Sequence, residues 1–240
     1  MQKIIQPVRK ELKINIDKKY KIGSERFFKE KITIYGVRTP IVRQIAKRYS
    51  KEIKKLDKGE VFEITENLFK NKYNEETTIA TQWLIESLDK ITDKDFPILS
   101  QWIEKYLDNW AKIDDYCNHV INPIIIKHPS LMKEFKKWST SKNRWVRRAS
   151  AVSLVSTNRD FYKKENNLDF VFWIARKLFR DPEDLVQKGY GWMLKVASNN
   201  RQKEVFDFVM KHRKSMSRTA LRYAIEKMPK DLKIKAMKND

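Results

Sequence analysis

The chain has 240 residues, of which 41% are hydrophobic and 12% aromatic, enough to bury a sizeable core. The 52 Lys and Arg outnumber the 31 Asp and Glu, and the formal net charge of +21 suits a nucleic acid or an anionic membrane surface. Of these two partners we expect nucleic acid and no membrane. Five glycines are too few for a sandwich, a barrel or a glycine-rich phosphate loop. No apolar run has the length of a membrane span and the N-terminus does not resemble a signal peptide, so we expect a cytoplasmic protein.

Helices are predicted one after another, joined by short polar segments. Pro40, Pro129 and Pro182 stand near predicted helix starts, where the missing N–H costs nothing. The predicted helices are Val8–Lys18, Ser24–Glu30, Pro40–Tyr49, Lys58–Asn71, Glu75–Leu88, Asp93–Tyr106, Trp110–Ile126, Pro129–Ser139, Arg144–Ser156, Leu168–Phe179, Pro182–Ser198, Lys203–Met210 and Arg218–Lys227.

Similar helix pairs recur at intervals of roughly 35 to 40 residues, the period of helical repeat arrays. We therefore expect an all-α fold, an α-solenoid whose stacked pairs leave a continuous concave, basic groove. No linker or low-complexity tract divides the chain, which predicts a single domain over residues 1–240.

The segment from Asn109 to Asp114 holds the best candidates for chemistry. Trp110 and Asp114 are four residues apart, so an aromatic face and a carboxylate lie on the same side of a helix. Such a pair can stabilise a developing cation. Attraction to a polyanion would explain the many Lys and Arg residues but not this aromatic and anionic pair. One cysteine and three scattered histidines allow no disulfide and no usual zinc site, and we expect no metal and no cofactor.

Four sequence blocks together resemble one known family, the DNA alkylation repair glycosylases of the AlkD type, which are built from HEAT-like helical repeats. The similarity runs from Phe27 to about Lys195. The blocks are Tyr35-Gly36-Val37-Arg38-Thr39-Pro40 with Arg43-Gln44 after it, Trp110 to Asp114, Asn143 to Arg148, and Gln187 to Lys195.

The resemblance implies excision of N3- or N7-alkylated purines from double-stranded DNA by a monomer, as part of base excision repair, without a base-accepting pocket. It places Trp110, Asp114, Arg148 and Trp192 at the lesion. The further DNA contacts that we expect are Phe27, Arg38, Arg43, Arg144, Arg147, Lys188 and Lys195. In a prokaryote the protein would be associated with the nucleoid. Arg38, Phe27 and Lys195 stand where the family commonly has Gln, Tyr and Arg, which puts affinity and substrate range in doubt more than reaction type.

The expected cleavage of the glycosidic bond explains, independently of the resemblance, why these residue types are needed. A purine alkylated at N3 or N7 is cationic, so cleavage releases a neutral base and moves the charge to the sugar. A carboxylate such as Asp114 stabilises that oxocarbenium-like sugar and holds the attacking water. The negative π faces of Trp110 and Trp192 attract the same cation, each by about 0.5 to 2 kcal/mol. Arg148 would hold a phosphate beside the lesion.

Each assignment has a structural alternative. Tryptophans at helical spacing usually pack in a core, as we expect for Trp83, Trp102, Trp138, Trp145 and Trp173. Asp114 could belong to an exposed charged face. The basic residues Arg213, Lys214, Arg218 and Arg222 form either a solvated face or a contact with the DNA backbone.

Three classes of function stay open: a monofunctional DNA glycosylase, a non-catalytic helical-repeat protein that binds DNA by backbone and shape, and a protein-binding solenoid. The net charge disfavours the third, and the presence of Trp110, Asp114 and Arg148 argues against the second.

Overall fold

The computed structural model describes residues 2–158 and 160–238. Every regular element in that part of the chain is helical, which confirms the prediction of an all-α helical-repeat fold. Within it, no helix combines the length and the apolar character needed to span a bilayer.

Two compact units make up the chain, Met1–Ile124 and Ile125–Asp240. The helices of the first unit are α1 (Gln2–Ile14), α2 (Lys18–Phe27), α3 (Thr39–Arg48), α4 (Ser50–Lys55), α5 (Lys58–Lys70), α6 (Asn74–Ile85), α7 (Phe96–Tyr106) and α8 (Trp110–Tyr116). Helix α9 (Asn122–Lys127) contains the boundary. The second unit continues with α10 (Glu134–Trp138), α11 (Arg144–Val152), α12 (Glu165–Leu178), α13 (Asp184–Ser198), α14 (Gln202–His212), α15 (Arg218–Ala224) and α16 (Lys230–Met237). The single domain over residues 1–240 stays a prediction, as does the concave basic groove.

Side chains at the helix starts explain why several helices begin where they do. Asp17, Asn109 and Ser217 each accept a backbone N–H from the first turn of the helix that follows, which satisfies a donor that has no partner inside the helix. Asp57 and Glu60 form a reciprocal capping box at the start of α5.

The cores of both units are made by helices that pack on one another in successive pairs. In the first unit α6 packs against α3, α5 and α8, and in the second α13 packs against α11, α12, α14 and α15. Trp83, Trp102, Trp138 and Trp145 are buried, as predicted, whereas Trp173 is only half-buried.

Several helix boundaries differ from the sequence-based prediction for identifiable reasons. Helix α1 starts before Pro7, because a proline close to the N-terminus removes only one helical hydrogen bond. The predicted helix Ser24–Glu30 is shifted, because Asp17 caps α2 and starts it at Lys18. The predicted helix Trp110–Ile126 is interrupted by a π-helical turn at Cys117–Ile121.

Two short helices were not predicted. Helices α4 and α16 are rich in lysine, and each buries a single side chain, Ile53 in α4 and Ala236 in α16. In α4 a single apolar residue gives no periodicity, and in α16 Leu232, Ile234 and Ala236 alternate with polar residues, which is not the period of a helix.

Candidate active site

Helix α8 carries Trp110 at its first position and Asp114 one turn later. The Asn109 Oδ1 caps this helix by accepting the amides of Ala111 at 3.1 Å and Lys112 at 3.2 Å. The Asn109 Nδ2 donates to Asn74 Oδ1 at 2.9 Å, which joins the start of α8 to the start of α6. Trp110 and Asp114 are both half-buried, so each presents part of its side chain to solvent.

The opposite side of α8 is anchored by a buried lysine. The Lys112 Nζ donates to the Lys72 carbonyl at 2.7 Å and to Asp108 Oδ1 at 2.8 Å, and the side chain is only 2% exposed. Burial lowers the pKa of Lys112, and the bond to Asp108 opposes that shift. This side of the helix therefore holds α8 in place.

An aromatic cluster fixes the orientation of the Trp110 indole. Phe28 stacks on it with ring centroids 5.1 Å apart and an interplanar angle of 18°, and Phe27 approaches edge-on at 6.0 Å. Phe27 itself is 72% exposed, which is unusual for a phenylalanine and fits the predicted DNA contact. The structure thus brings two sequence-predicted residues, Phe27 and Trp110, into contact.

A pocket of about 510 Å³ lies beside this cluster, and its wall includes Phe27, Phe28 and Trp110. Glu75 also lines it, but its carboxylate already accepts three backbone amides: Tyr35 at 3.1 Å, Gly36 at 2.7 Å and Val37 at 3.0 Å. The carboxylate of this pocket is therefore engaged in holding the loop before α3.

The same loop shows what the block from Tyr35 to Pro40 does in the fold. Gly36 has φ +97°, a left-handed conformation, and a Cβ there would lie 2.6 Å from Lys21 Cβ. After it, Arg38 bonds to Asp17 at 2.9 Å and lies 5.1 Å from the Tyr20 ring centroid. This contact and the Tyr20 backbone amide, the larger cause, lower the pKa of Asp17.

A contact between Asp115 and His119, next to Asp114, was missed by the sequence analysis. Asp115 Oδ1 lies 3.1 Å from His119 Nδ1, and the hydrogen bond to Asp115 raises the pKa of the imidazole, whereas burial and, to a smaller extent, Arg43 oppose the rise. Arg43 is exposed on α3. The spacing of four residues on one helix could have revealed the pair.

Arg148 is the most buried of the predicted site residues of the second unit. It is 5% exposed on α11, and its Nη1 donates to the Leu185 carbonyl at the start of α13. A Cβ added at Gly189 would lie 3.4 Å from both Arg148 Cγ and Nη1, which is an ordinary van der Waals contact, so Arg148 packs directly against α13 at this glycine.

The neighbouring arginines of α11 form ion pairs with the segment that precedes α13. Arg147 makes two bonds to the Asp181 carboxylate, at 2.5 and 3.2 Å. Arg144 bonds to Glu183 at 3.1 Å. Both cations therefore tie the start of α11 to the start of α13 in this structure.

Helix α13 carries the remaining predicted residues. Trp192 is half-buried and follows Gly191, where an added Cβ would lie 2.7 Å from Tyr223 Cβ and 2.8 Å from the Ala220 carbonyl. Gly191 thus allows α13 and α15 to approach closely. Lys188 pairs with Asp184 at 2.8 Å, and Lys195 pairs with Glu226 at 3.0 Å.

The cluster of His, Cys, Asp and Glu side chains that a metal ion needs does not occur among the described residues. Phe27, Arg38, Arg43, Trp110 and Asp114 belong to the first unit, and Arg144, Arg147, Arg148, Lys188, Trp192 and Lys195 to the second.

Comparison with known proteins gives a consistent result. Residues 8–228 match the model of a family described as DNA alkylation repair enzyme. A solved structure, described as a predicted DNA alkylation repair enzyme from Enterococcus faecalis, shares the fold with a TM-score of 0.78 at 16% identity, over 90% of this chain and 98% of that one. No curated protein matches.

Proposed function

Because the chain belongs to the family of DNA alkylation repair enzymes, we propose that it is a monofunctional glycosylase that hydrolyses the N-glycosidic bond of N3- and N7-alkylated purines in double-stranded DNA. The observation that carries the proposal is the pairing of Trp110 and Asp114 on one partly exposed side of α8, with the indole held by Phe27 and Phe28. A rigid aromatic face and a carboxylate one turn apart suit a cationic sugar.

The proposed reaction breaks the bond between C1′ and the purine nitrogen. The alkylated base departs with the bonding electron pair and becomes neutral, so no general acid is required. The sugar acquires the positive charge, which the Asp114 carboxylate and the Trp110 and Trp192 π faces stabilise. Water then adds to C1′ and loses its proton to Asp114 or to solvent, leaving an abasic site. Nothing in this sequence requires a lysine nucleophile, a metal or a cofactor.

The DNA contacts in this proposal are largely electrostatic. Arg148 holds a phosphate that flanks the lesion, for which it must exchange its buried bond to the Leu185 carbonyl. Arg38, Arg43, Arg144, Arg147, Lys188 and Lys195 contribute further contacts with the backbone. Phe27 contacts the nucleotide with its exposed ring.

Asp114→Asn tests this proposal most sharply. We expect loss of 7-methylguanine release from methylated duplex DNA by roughly 10²- to 10³-fold, because the neutral amide does not stabilise the cationic sugar. Binding to a duplex with an abasic-site analogue should stay nearly unchanged. Release is measured by chromatography of the free base and binding by fluorescence anisotropy.

Asp115→Asn is the matched control, since it makes the same chemical change one position along and affects the carboxylate that pairs with His119. It should retain excision. Excision by Asp114→Asn at the wild-type rate would contradict the proposal, and so would equal loss of excision and binding. A wild-type protein that binds methylated duplex but releases no base would support the alternative, a non-catalytic helical-repeat protein that binds DNA by backbone and shape.

A further inference from the structure

A second pocket, of about 700 Å³, lies in the second unit between the segment that precedes α10 and the first turns of α12. Its volume falls in the range of roughly 300 to 1,000 Å³ that is typical of ligand pockets. None of its lining residues belongs to the set that we propose for excision. The pocket is therefore separate from the residues proposed for excision.

One ring of an aromatic pair lines this pocket. Phe170 lines it and is half-buried, and its ring lies parallel to that of Trp173, with an interplanar angle of 14° and centroids 6.2 Å apart. Trp173 is also half-buried, and the Nζ atoms of Lys136 and Lys177 lie 5.3 and 5.2 Å from its ring centroid. The Phe170 ring is thus kept partly in solvent inside the pocket, where it can stack on a planar ligand.

Positive charge surrounds the rings. Lys133, Lys136 and Lys164 line the pocket, are exposed, and make no ion pair with any described residue. The first turn of α12 adds the positive end of a helix dipole.

The nearby carboxylates are engaged mainly with other cations, although the charge of Asp160, which pairs with Lys163 at 2.8 Å, also interacts with that of Lys164. Glu165 lines the pocket but bonds to Arg201 at 2.9 Å, and Glu134 bonds to Lys137 at 2.8 Å. Asp169 is exposed on the next turn of α12 and does not line the pocket. The pocket therefore has a net positive charge that an anionic ligand would complement.

We infer that this pocket binds single-stranded nucleic acid, with one base stacked on Phe170 and the flanking phosphates on Lys133, Lys136 and Lys164. Aromatic platforms inside basic grooves bind single strands because every unpaired base offers a π face. In a duplex the base faces are already stacked on one another, so a duplex would contact only the lysines. Asn166, exposed at the rim, is placed to bond to a base edge. The inference does not depend on the proposed glycosylase activity.

The test measures binding of the full-length protein to a fluorescein-labelled oligothymidylate of about 12 nucleotides by anisotropy over a range of salt concentrations. Phe170→Leu keeps an apolar side chain but removes the π face, and we expect roughly tenfold weaker binding. The triple variant Lys133→Ala, Lys136→Ala, Lys164→Ala should reduce the slope of log K against log salt by about two, because roughly 0.7 counterions are released per phosphate.

Lys136→Ala and Lys137→Ala form a matched pair on α10. Each removes one charge, but Lys137 already pairs with Glu134, so only Lys136→Ala should weaken binding to the single strand. Circular dichroism confirms that each variant is folded.

Three results would overturn the inference: equal binding by Phe170→Leu and wild type, equal weakening by both members of the lysine pair, or the same loss for a blunt duplex as for the single strand. Tighter binding of a labelled polyglutamate peptide than of the oligonucleotide would also overturn it and indicate an acidic protein partner. Loss of excision in Asp114→Asn leaves this binding unaffected, so the two proposals can fail separately.

Discussion

At the scale of single residues, neighbouring positions at the start of α8 differ in burial. Asn109 and Lys112 are buried and hold the helix, whereas Trp110 and Asp114 are partly exposed. The spacing of four residues sufficed to predict that Trp110 and Asp114 share a side. The buried hydrogen bonds of Lys112 could not be predicted, because one of its acceptors is the carbonyl of Lys72, forty residues away in the sequence.

His119 gives a prediction with a definite sign. Its pKa is raised, chiefly by the hydrogen bond to Asp115, so the charged imidazole stabilises the folded state at pH values below about 6.5, its unfolded pKa. That contribution is lost as the pH rises through the raised folded pKa. His119→Ala should therefore lower the urea midpoint more at pH 6 than at pH 8.5.

His212 provides a control of opposite sign. Burial is the main cause that lowers its pKa, so protonation on acidification opposes folding, and His212→Ala should cost less stability at pH 6 than at pH 8.5. Parallel pH trends in the two variants would contradict this electrostatic interpretation.

At the scale of elements, the packing of α13 against its neighbours explains the two glycines of the motif that was recognised by resemblance. Gly189 faces Arg148 of α11, and Gly191 faces Ala220 and Tyr223 of α15. The sequence analysis identified the glycines only as part of a pattern. The residues that contact these glycines lie on helices about thirty to forty residues away in the sequence. The residue pattern of a single helix carries no information about such contacts.

Gly191→Ala should destabilise the protein by about 1 to 3 kcal/mol, because the new methyl group meets backbone atoms of α15 that cannot move aside. Urea denaturation measures the change. Gly23→Ala, in α2, is the control: nothing lies within 4 Å of its added Cβ, so we expect a gain of about 0.4 to 1 kcal/mol. Equal stability of the two variants would show that close approach of α13 and α15 does not depend on Gly191.

At the scale of the whole molecule, the net charge of +21 overstates the number of cationic side chains that are available to bind DNA phosphates. Most of the predicted DNA contacts are already in ion pairs: Arg38 with Asp17, Arg144 with Glu183, Arg147 with Asp181, Lys188 with Asp184 and Lys195 with Glu226. Exposed pairs such as Arg38 with Asp17 contribute only about 0.2 to 1 kcal/mol, so phosphates can compete for their cations. The Arg147–Asp181 pair is buried, with side chains 15% and 4% exposed, and is more costly to separate. Composition alone could predict the sign of the partner's charge and the all-α class, but not these pairs or the pockets, because residues far apart in sequence form them.

The release of intact bases from methylated duplex DNA by the wild-type protein tests the central claim most directly. The products are identified by mass and the strands by denaturing electrophoresis. We predict free 7-methylguanine and 3-methyladenine, abasic sites and unbroken strands, because water and not a lysine attacks the sugar. Methylated DNA that keeps all its bases, or bases that lose only their methyl groups, would contradict glycosidic hydrolysis.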